Sequence, residues 1–558
     1  MKKRILAFIS LCLLTTNFMV VNSSSIGNMA INTVINGRIK GAMELSPKMA
    51  HIQIRRVGES IENLPQTIEA DSKGGFELTL KETGIYQLRF SAVDYQTVMV
   101  PVWITDSDKR VSLDIVLSPQ KYMTTLDEIK IIGDWNNFNP RQAETMQKEP
   151  DGTFVYEREV TADTVKYQIM GATDNSLIPG TMADGYEYDN NGNYRAVIKV
   201  VPGRITIIFD PAQLHQDQPY EPNIVFDKDH QEFERLFEIT KLYTQKYSEY
   251  LSAFTAYREN NGNVRKFSFD SSSLWNDLDG ILMDGKSSSM IRQYAAFTMI
   301  EMLRMNPTYE NGLLDEFLNI IPPESPIWSM DPSAVYIFSN CFEKGKAGTI
   351  LWDFYKKNPD HRVQAQSLVG LVKNAKANGD KANYPLLYQE LNDKYRDIPE
   401  IQYDLKNLNP DKKIAQGKPV PDFQVLLLEP GKVISNLSLR GKFYLIDFWA
   451  SWCGNCGDEM PFLHAAYQKY KDRNFEILSL SFDQKSEDIT KFRLKWPMLW
   501  LHGWVANGFE SELAQRFEVA GIPKAILVGP DGNILATENL RGESLEKTLE
   551  MYLVSEQK

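Results

Sequence analysis

Two cysteines stand close together near the end of the chain, in the run FWASWCGNCGDEMP at 448–461. Cys453 and Cys456 flank a Gly-Asn dipeptide, and the 558-residue sequence holds only four cysteines. A Cys-x-x-Cys pair can serve thiol–disulfide exchange, metal binding or a purely structural disulfide. A zinc site needs a second pair of ligands, and neither another Cys-x-x-Cys nor the spacing of His464 and His502 supplies one. The pattern therefore favours a redox pair, and we expect no metal site.

The predicted elements around the pair assign a role to each cysteine. An apolar strand is predicted at Lys442–Ala450 and a helix at Cys456–Arg473, so Cys453 lies at a strand-to-helix junction. The free N–H groups and the dipole of a helix N-terminus favour an anion, which lowers the pKa of a thiol there. We therefore predict Cys453 as the nucleophile. Cys456, one turn later, is predicted to resolve the mixed disulfide.

Two further residues fit the same chemistry. Asp447 lies within the apolar strand, where burial would raise its pKa and let it exchange a proton with Cys456, through water, near neutral pH. Ile522 and Pro523 begin a later hairpin. A cis-proline at this position would expose backbone for pairing with an extended substrate beside Cys453.

The elements of residues 416–558 occur in a recognisable order. A second buried strand is predicted at Phe475–Asp483, a helix over FESELAQRFEV (509–519) and a hairpin turn at Pro530-Asp531-Gly532. A final helix is predicted at 543–554. Strand, helix, strand, hairpin and helix is the thioredoxin order, so an α/β thioredoxin fold is expected.

The runs DFWASWCGNCGDEMP and VAGIPKAILVGPDG closely resemble the TlpA/ResA-like thioredoxins of the bacterial envelope, within the AhpC/TSA superfamily. The whole-chain architecture resembles Bacteroidetes-type members. The resemblance implies thiol–disulfide exchange in the periplasm, with disulfide-bearing envelope proteins as partners and a membrane reductant of the DsbD or CcdA type. No dissociable cofactor is expected. We assign substrate contacts to Trp452, Ile522 and Glu459, beside the catalytic group formed by Cys453, Cys456, Asp447 and Pro523.

Two residues depart from the family pattern. Asn455 stands where the family commonly has Pro, and Lys524 follows Pro523 where Thr or Ser is common. We expect the backbone N–H of Asn455 to stabilise the Cys453 thiolate and so raise the reduction potential. A peroxiredoxin is disfavoured because it needs Thr or Ser at the position of Ala450.

Three regions with different periodicities precede this segment. Residues 30–118 alternate apolar and polar side chains between turns and resemble a carboxypeptidase-regulatory-like β-sandwich. Residues 126–210 resemble a glycogen-binding, E-set type of sandwich. Residues 225–412 show helical stripes of aromatic and aliphatic residues, which we interpret as core. The predicted fold class is multidomain: two N-terminal β-sandwiches, an α-helical middle domain and a C-terminal α/β thioredoxin fold.

Trp135 raises the question of a sugar site on the second sandwich. An aromatic residue beside a turn is usually part of the core, so we favour a structural role over carbohydrate stacking. Cys341 is interpreted as a small buried hydrophobe in the helical domain.

The first 25 residues are typical of a cleaved signal peptide, since Lys2, Lys3 and Arg4 precede an apolar run and Ser23–Ser25 follow it. An exported, periplasmic location is therefore expected. The net charge of −12 argues against a nucleic-acid partner. The competing function is a scaffold or binding protein of the envelope with a secondary or vestigial thioredoxin domain. The sequence leaves open the direction of electron flow, the client protein and the oligomeric state.

Overall fold

The computed structural model describes residues 30–41, 47–59, 65–173, 177–214, 220–261, 264–305, 312–429 and 431–555. The predicted signal peptide at 1–25 lies outside these residues. The predicted fold class is confirmed: two β-sandwiches and a helical region precede a C-terminal thioredoxin-like α/β domain.

The first sandwich is built from strands whose alternate side chains are apolar and buried. Its strands before the second sandwich are β1 (Ala30–Lys40), β2 (His51–Arg56), β3 (Gln66–Glu69), β4 (Gly75–Glu82), β5 (Gly84–Ser91), β6 (Val98–Ile104) and β7 (Arg110–Val116).

The second sandwich is inserted into the first. It consists of β8 (Lys130–Gly133), β9 (Glu144–Thr145), β10 (Gln147–Lys148), β11 (Phe154–Val160), β12 (Thr164–Met170), β13 (Gly185–Tyr188), β14 (Tyr194–Lys199) and β15 (Gly203–Phe209). The chain then returns through β16 (Asn223–Phe226), which pairs with β7. The first sandwich thus has sheets in the order β16-β7-β1-β4 and β3-β2-β5-β6, and the second has β10-β11-β15 and β13-β14-β12-β8-β9.

The helical region follows directly from β16. It comprises α1 (Gln231–Asn261), α2 (Ser272–Met283), α3 (Ser289–Met302), α4 (Leu313–Ile320), α5 (Ala334–Ser339), α6 (Lys344–Lys357), α7 (His361–Ala377), α8 (Asn383–Tyr395) and α9 (Gln402–Leu408). Its buried side chains form one continuous hydrophobic cluster with those of the first sandwich. Cys341 is half-buried against this cluster, and its Sγ lies 3.5 Å from the carbonyl oxygen of Ile337.

The thioredoxin-like domain has a separate hydrophobic core. Its strands are β17 (Gln424–Leu426), β18 (Val433–Ser435), β19 (Phe443–Trp449), β20 (Phe475–Ser481), β21 (Leu501–Trp504), β22 (Lys524–Val528) and β23 (Ile534–Ala536), and its helices are α10 (Gly454–Tyr470), α11 (Ser486–Lys495), α12 (Glu512–Arg516) and α13 (Glu543–Ser555). The central sheet runs β21-β20-β19-β22-β23, with β19 parallel to β20 and antiparallel to β22. Every residue of β19 is buried, as expected for a central strand covered on both faces.

The helix predicted over 509–519 is much shorter in the structure, where α12 ends at Arg516. Glu518 has a left-handed backbone conformation, with φ of 50°. The carbonyl oxygens of Phe517 and Glu518 accept hydrogen bonds from the Lys524 ammonium group, at 2.8 and 2.7 Å. This tertiary contact holds the chain in a turn where local propensity favours helix.

Candidate active site

Cys453 and Cys456 are joined by a disulfide at the point where β19 leads into α10. Cys453 is the N-cap residue of α10, and its Sγ accepts a hydrogen bond from the backbone N–H of Cys456 at 3.2 Å. In this oxidised form the backbone donor to Cys453 Sγ is Cys456; the predicted role of the Asn455 N–H concerns the thiolate of the reduced form and stays a prediction. Cys453 is 8% exposed and Cys456 only 1%. An attacking sulfur at the rim and a resolving sulfur beneath it suit thiol–disulfide exchange.

Asp447 is a carboxylic acid within the central strand. Strand register places it between Ser479 of β20 and Ala525 of β22, and it is only 5% exposed. Ser479 Oγ donates to its Oδ2 at 2.9 Å, and the Trp500 indole N–H donates to Ser479 Oγ at 2.9 Å. Burial raises the pKa of Asp447 to about 7, against the opposing effects of Ser479 and the Arg541 charge. The group can therefore bind or release a proton near neutral pH.

The peptide bond between Ile522 and Pro523 is cis. Antiparallel pairing places Lys524 opposite Phe448, so the proline lies at the edge of the sheet where β19 ends and the cysteine loop begins. Lys524 bonds to the turn before the proline, as described above, and burial lowers its pKa to about 8. The lysine that departs from the family pattern thus braces the cis-proline loop.

Trp452 and Glu459, both assigned to substrate, occupy different environments. Trp452 is 54% exposed and directly precedes Cys453, the predicted nucleophile, so its ring is accessible to a partner protein. Glu459 is half-buried in α10, and its Oε2 accepts a hydrogen bond from the backbone N–H of Gly542 at 2.6 Å. Its charge also raises the pKa of Asp447. The hydrogen bond from Gly542 connects Glu459, and with it α10, to the segment before α13.

Asp483 is a buried site residue that sequence reasoning missed. Its carboxylate accepts hydrogen bonds from the backbone N–H and hydroxyl of Ser451, at 3.0 and 2.6 Å, and from Ser481 Oγ at 2.6 Å. These bonds hold the start of the loop that carries Cys453. A signal was present in the sequence, because a polar residue two positions after the end of a parallel strand lies near the same sheet edge as the end of the neighbouring strand.

The helical region forms a second wall opposite this site. A cleft of about 3960 Å³ is lined by Arg258 and Tyr403 on one side and by Asn455, Ile522 and Pro523 on the other. The Tyr403 ring packs so close to Gly521 that a Cβ on this glycine would lie 2.8 Å from the ring. No sequence pattern indicated this contact, because the two residues belong to different domains.

In the second sandwich, Trp135 belongs to a compact polar and aromatic cluster. Its indole N–H donates to Glu144 at 2.9 Å, and its ring stacks on Tyr156 and lies under the Arg158 guanidinium. The backbone of Gly133 also packs on the indole, since a Cβ there would lie 2.2 Å from a ring carbon. The indole is therefore engaged by its own domain.

Comparisons with known proteins agree with this geometry. Residues 441–534 match the family model described as thioredoxin-like. The chain is 32% identical over 147 residues to the thiol-disulfide oxidoreductase ResA of Bacillus thuringiensis subsp. konkukian, covering 26% of this chain and 79% of the relative. ResA of Bacillus subtilis is 23% identical over 142 residues, covering 25% of this chain and 76% of the relative.

Among solved structures, the thioredoxin domain of a thiol-disulfide oxidoreductase from Bacteroides vulgatus is 32% identical, with a TM-score of 0.24, and covers 25% of this chain and 98% of that one. The chain belongs to the thioredoxin-like thiol-disulfide oxidoreductases, with ResA proteins among its relatives. The resemblance drawn from the cysteine and proline runs is confirmed.

Two features are absent from the residues that the structure describes. No helix among them is long and apolar enough to cross a membrane. In the same part of the chain, no group of three or more His, Cys, Asp or Glu side chains is arranged to hold a metal ion.

Proposed function

We propose that this protein reduces disulfides of exported proteins through its Cys453–Cys456 pair. The observation that carries the proposal is the placement of this pair at the N-terminus of α10, in the domain whose central strand also holds a carboxyl group with a pKa of about 7. Such a site contains the nucleophile, the resolving group and the proton carrier that exchange requires.

The proposed reaction begins with the reduced pair. The Cys453 thiolate attacks one sulfur of a client disulfide; that S–S bond breaks, a Cys453–client disulfide forms, and the other client sulfur leaves as a thiolate. Asp447 takes the Cys456 thiol proton through water. The Cys456 thiolate then attacks Cys453 Sγ, releases the second client thiolate and closes the Cys453–Cys456 disulfide. The client gains two electrons, which the domain loses.

Client binding would use the part of this domain that lines the cleft. The backbone around Ile522 and the cis Pro523 would pair with an extended client segment, and Trp452 would contact it beside the reacting sulfur. A membrane reductant of the DsbD or CcdA type would return the pair to its dithiol form by the same exchange. This cycle requires a periplasmic or otherwise exported location, which the basic and apolar start of the sequence supports.

Insulin reduction tests the activity. The wild-type full chain should turn over with dithiothreitol as electron donor, and Cys453→Ser should not exceed the rate of dithiothreitol alone. Equal rates for the two proteins would favour the scaffold function. A Cys456→Ser variant can attack but cannot resolve, so mixed disulfides isolated with it from its own cells would identify the clients.

A further inference from the structure

One side chain of the helical region reaches the redox loop. Arg258, in the last turn of α1, donates from Nε and Nη2 to the two carboxylate oxygens of Asp458, at 2.9 and 2.7 Å. Nη2 also donates to Oδ1 of Asn455 at 3.3 Å. Asp458 lies in the first turns of α10, so the C-terminal end of α1 meets the N-terminal end of the active-site helix.

The guanidinium group lies directly on the backbone between the two cysteines. A Cβ placed on Gly454 would be 2.4 Å from Nη1 of Arg258, inside any permitted contact distance. Glycine at this position therefore permits the approach of the cation. Gly454 follows Cys453 in the chain, so the guanidinium group lies against the backbone next to the residue whose sulfur would carry the thiolate.

We propose that Arg258 is a positioning residue for the redox centre, which fixes the loop between the cysteines and stabilises the Cys453 thiolate of the reduced form. The inference rests on the proposed function only in requiring that the disulfide can be reduced. An opposite charge near a thiol favours its ionised form. Stabilising the reduced form raises the reduction potential of the pair.

The partner of Arg258 acts in the opposite sense. The Asp458 carboxylate is bonded to Arg258 and would disfavour a thiolate on Cys453. The net effect of the two charges on the thiolate therefore depends on which charge lies nearer the sulfur. The Gly454 contact places the cation against the loop itself. Other charged or titratable groups about the site include Asp447 in β19, Glu459 in α10, Asp483 after β20, Lys524 in β22 and Arg541 before α13.

Two substitutions should shift the pKa of reduced Cys453 in opposite directions. Arg258→Gln removes the cation and leaves Asp458, which should raise the pKa of reduced Cys453 by about one unit, a tenfold fall in acid dissociation constant. Asp458→Asn removes the anion and leaves Arg258, which should lower that pKa. General destabilisation of the fold cannot produce opposite shifts, so the comparison holds even if one variant is less stable.

The measurement is the pH dependence of iodoacetamide alkylation of the reduced full chain, followed at the Cys453 peptide by mass spectrometry so that Cys341 is not counted. Glutathione equilibration gives the second readout. A tenfold change in the exchange equilibrium corresponds to about 30 mV for a two-electron couple, and the potential of Arg258→Gln should fall by this amount. Arg258→Lys should recover part of both effects.

Arg235→Gln is the matched control, because Arg235 is exposed on the same helix and the change in charge is identical. Arg235 lies about 35 Å from Arg258 along the helix, at 1.5 Å per residue. The pKa of reduced Cys453 and the reduction potential of the Arg235→Gln variant should therefore equal those of wild type. The proposal would be overturned if the Cys453 pKa and the reduction potential of Arg258→Gln equalled those of the control. It would also be overturned if Arg258→Gln and Asp458→Asn shifted the Cys453 pKa in the same direction. Neither readout needs a protein client, so a failed insulin assay would leave this test intact.

Discussion

The thioredoxin site and the Trp135 cluster of the second sandwich each contain an acidic side chain among aromatic residues. The two carboxylates differ in their hydrogen-bond donors and in their burial. Glu144 receives hydrogen bonds from Trp135, Tyr156 and Arg158, and one arginine neutralises its charge. Asp447 receives one from Ser479 and is buried in the central strand, so its pKa rises to about 7. Three donors hold Glu144 in place, whereas burial leaves Asp447 able to bind a proton near neutral pH.

The aromatic residues of the two regions differ in the same way. Trp135 is covered by its own domain, through Gly133, Tyr156 and Arg158. Trp452 presents 54% of its surface to solvent beside the candidate nucleophile. Accessible surface next to a reactive group suits partner binding, whereas stacking and satisfied hydrogen bonds indicate a structural role.

The largest effect on insulin reduction is expected from removing a cysteine of the thioredoxin site. Cys453→Ser should abolish insulin reduction, because the attacking sulfur is lost. Cys341→Ser, in the helical domain, should leave the rate unchanged and serves as the control for thiol removal. Residual turnover in Cys453→Ser, at more than the dithiothreitol background, would show that another group performs the exchange.

The next prediction concerns the two carboxyl groups. Asp447→Asn should slow resolution of the mixed disulfide by about 10²-fold, since the carboxylate that accepts the Cys456 proton is removed. In wild type the resolution rate should rise as pH passes through about 7, because only ionised Asp447 acts as base. Rapid-quench analysis of the mixed disulfide across pH would reveal this rise, and Asp447→Asn should lack it. Glu144→Gln is the matched control and should retain the wild-type profile.

Asp447 also makes a prediction for stability. Its pKa is higher in the folded protein than the ordinary value of 3.8, so the native state binds the extra proton. The free energy of unfolding should therefore fall as pH rises from about 4 to about 7, and level off above. Urea unfolding of wild type and Asp447→Asn should show this fall in the difference between the two proteins; a constant difference across the window would contradict the assigned pKa.

A smaller effect is expected for the indole of the second sandwich. Trp135→Ala should lower the free energy of unfolding by about 3 kcal/mol, through lost packing and the loss of the indole hydrogen bond to Glu144. Insulin reduction and retention on polysaccharide should not change. Trp452→Ala provides the converse, with a smaller loss of thermal stability and slower reduction of protein substrates. Loss of sugar retention by Trp135→Ala at an unchanged melting temperature would support a carbohydrate site instead.

The smallest effect concerns the dipeptide between the cysteines. Asn455→Pro removes a backbone N–H and the side-chain oxygen that holds Arg258, so the reduction potential should fall by about 10–30 mV. Asn455→Ala retains the N–H and loses only the oxygen, so the difference between the variants separates the two contributions. Glutathione titration measures both. An unchanged or higher potential in the proline variant would mean that Asn455 does not set it.

The order of elements in the last domain followed from local sequence patterns. Apolar runs define β19 and β20, and the turn at Pro530-Asp531-Gly532 defines the hairpin. The cysteine spacing and the buried acid within β19 likewise follow from residues close together in the chain. Periodicity and turn chemistry are local properties, so a single sequence suffices to predict them.

Contacts between distant residues were decided only by the tertiary structure. Arg258 and Asp458 are separated by 200 positions, and no local pattern links the end of α1 to the redox loop. The same holds for β16, which pairs with β7 of the first sandwich although the whole second sandwich lies between them in the chain. The early end of α12 involves a nearer partner, Lys524, whose ammonium group donates to the carbonyl oxygens of Phe517 and Glu518 in the turn after this helix. In each case the deciding energy comes from a partner brought close by folding, which local propensity does not contain.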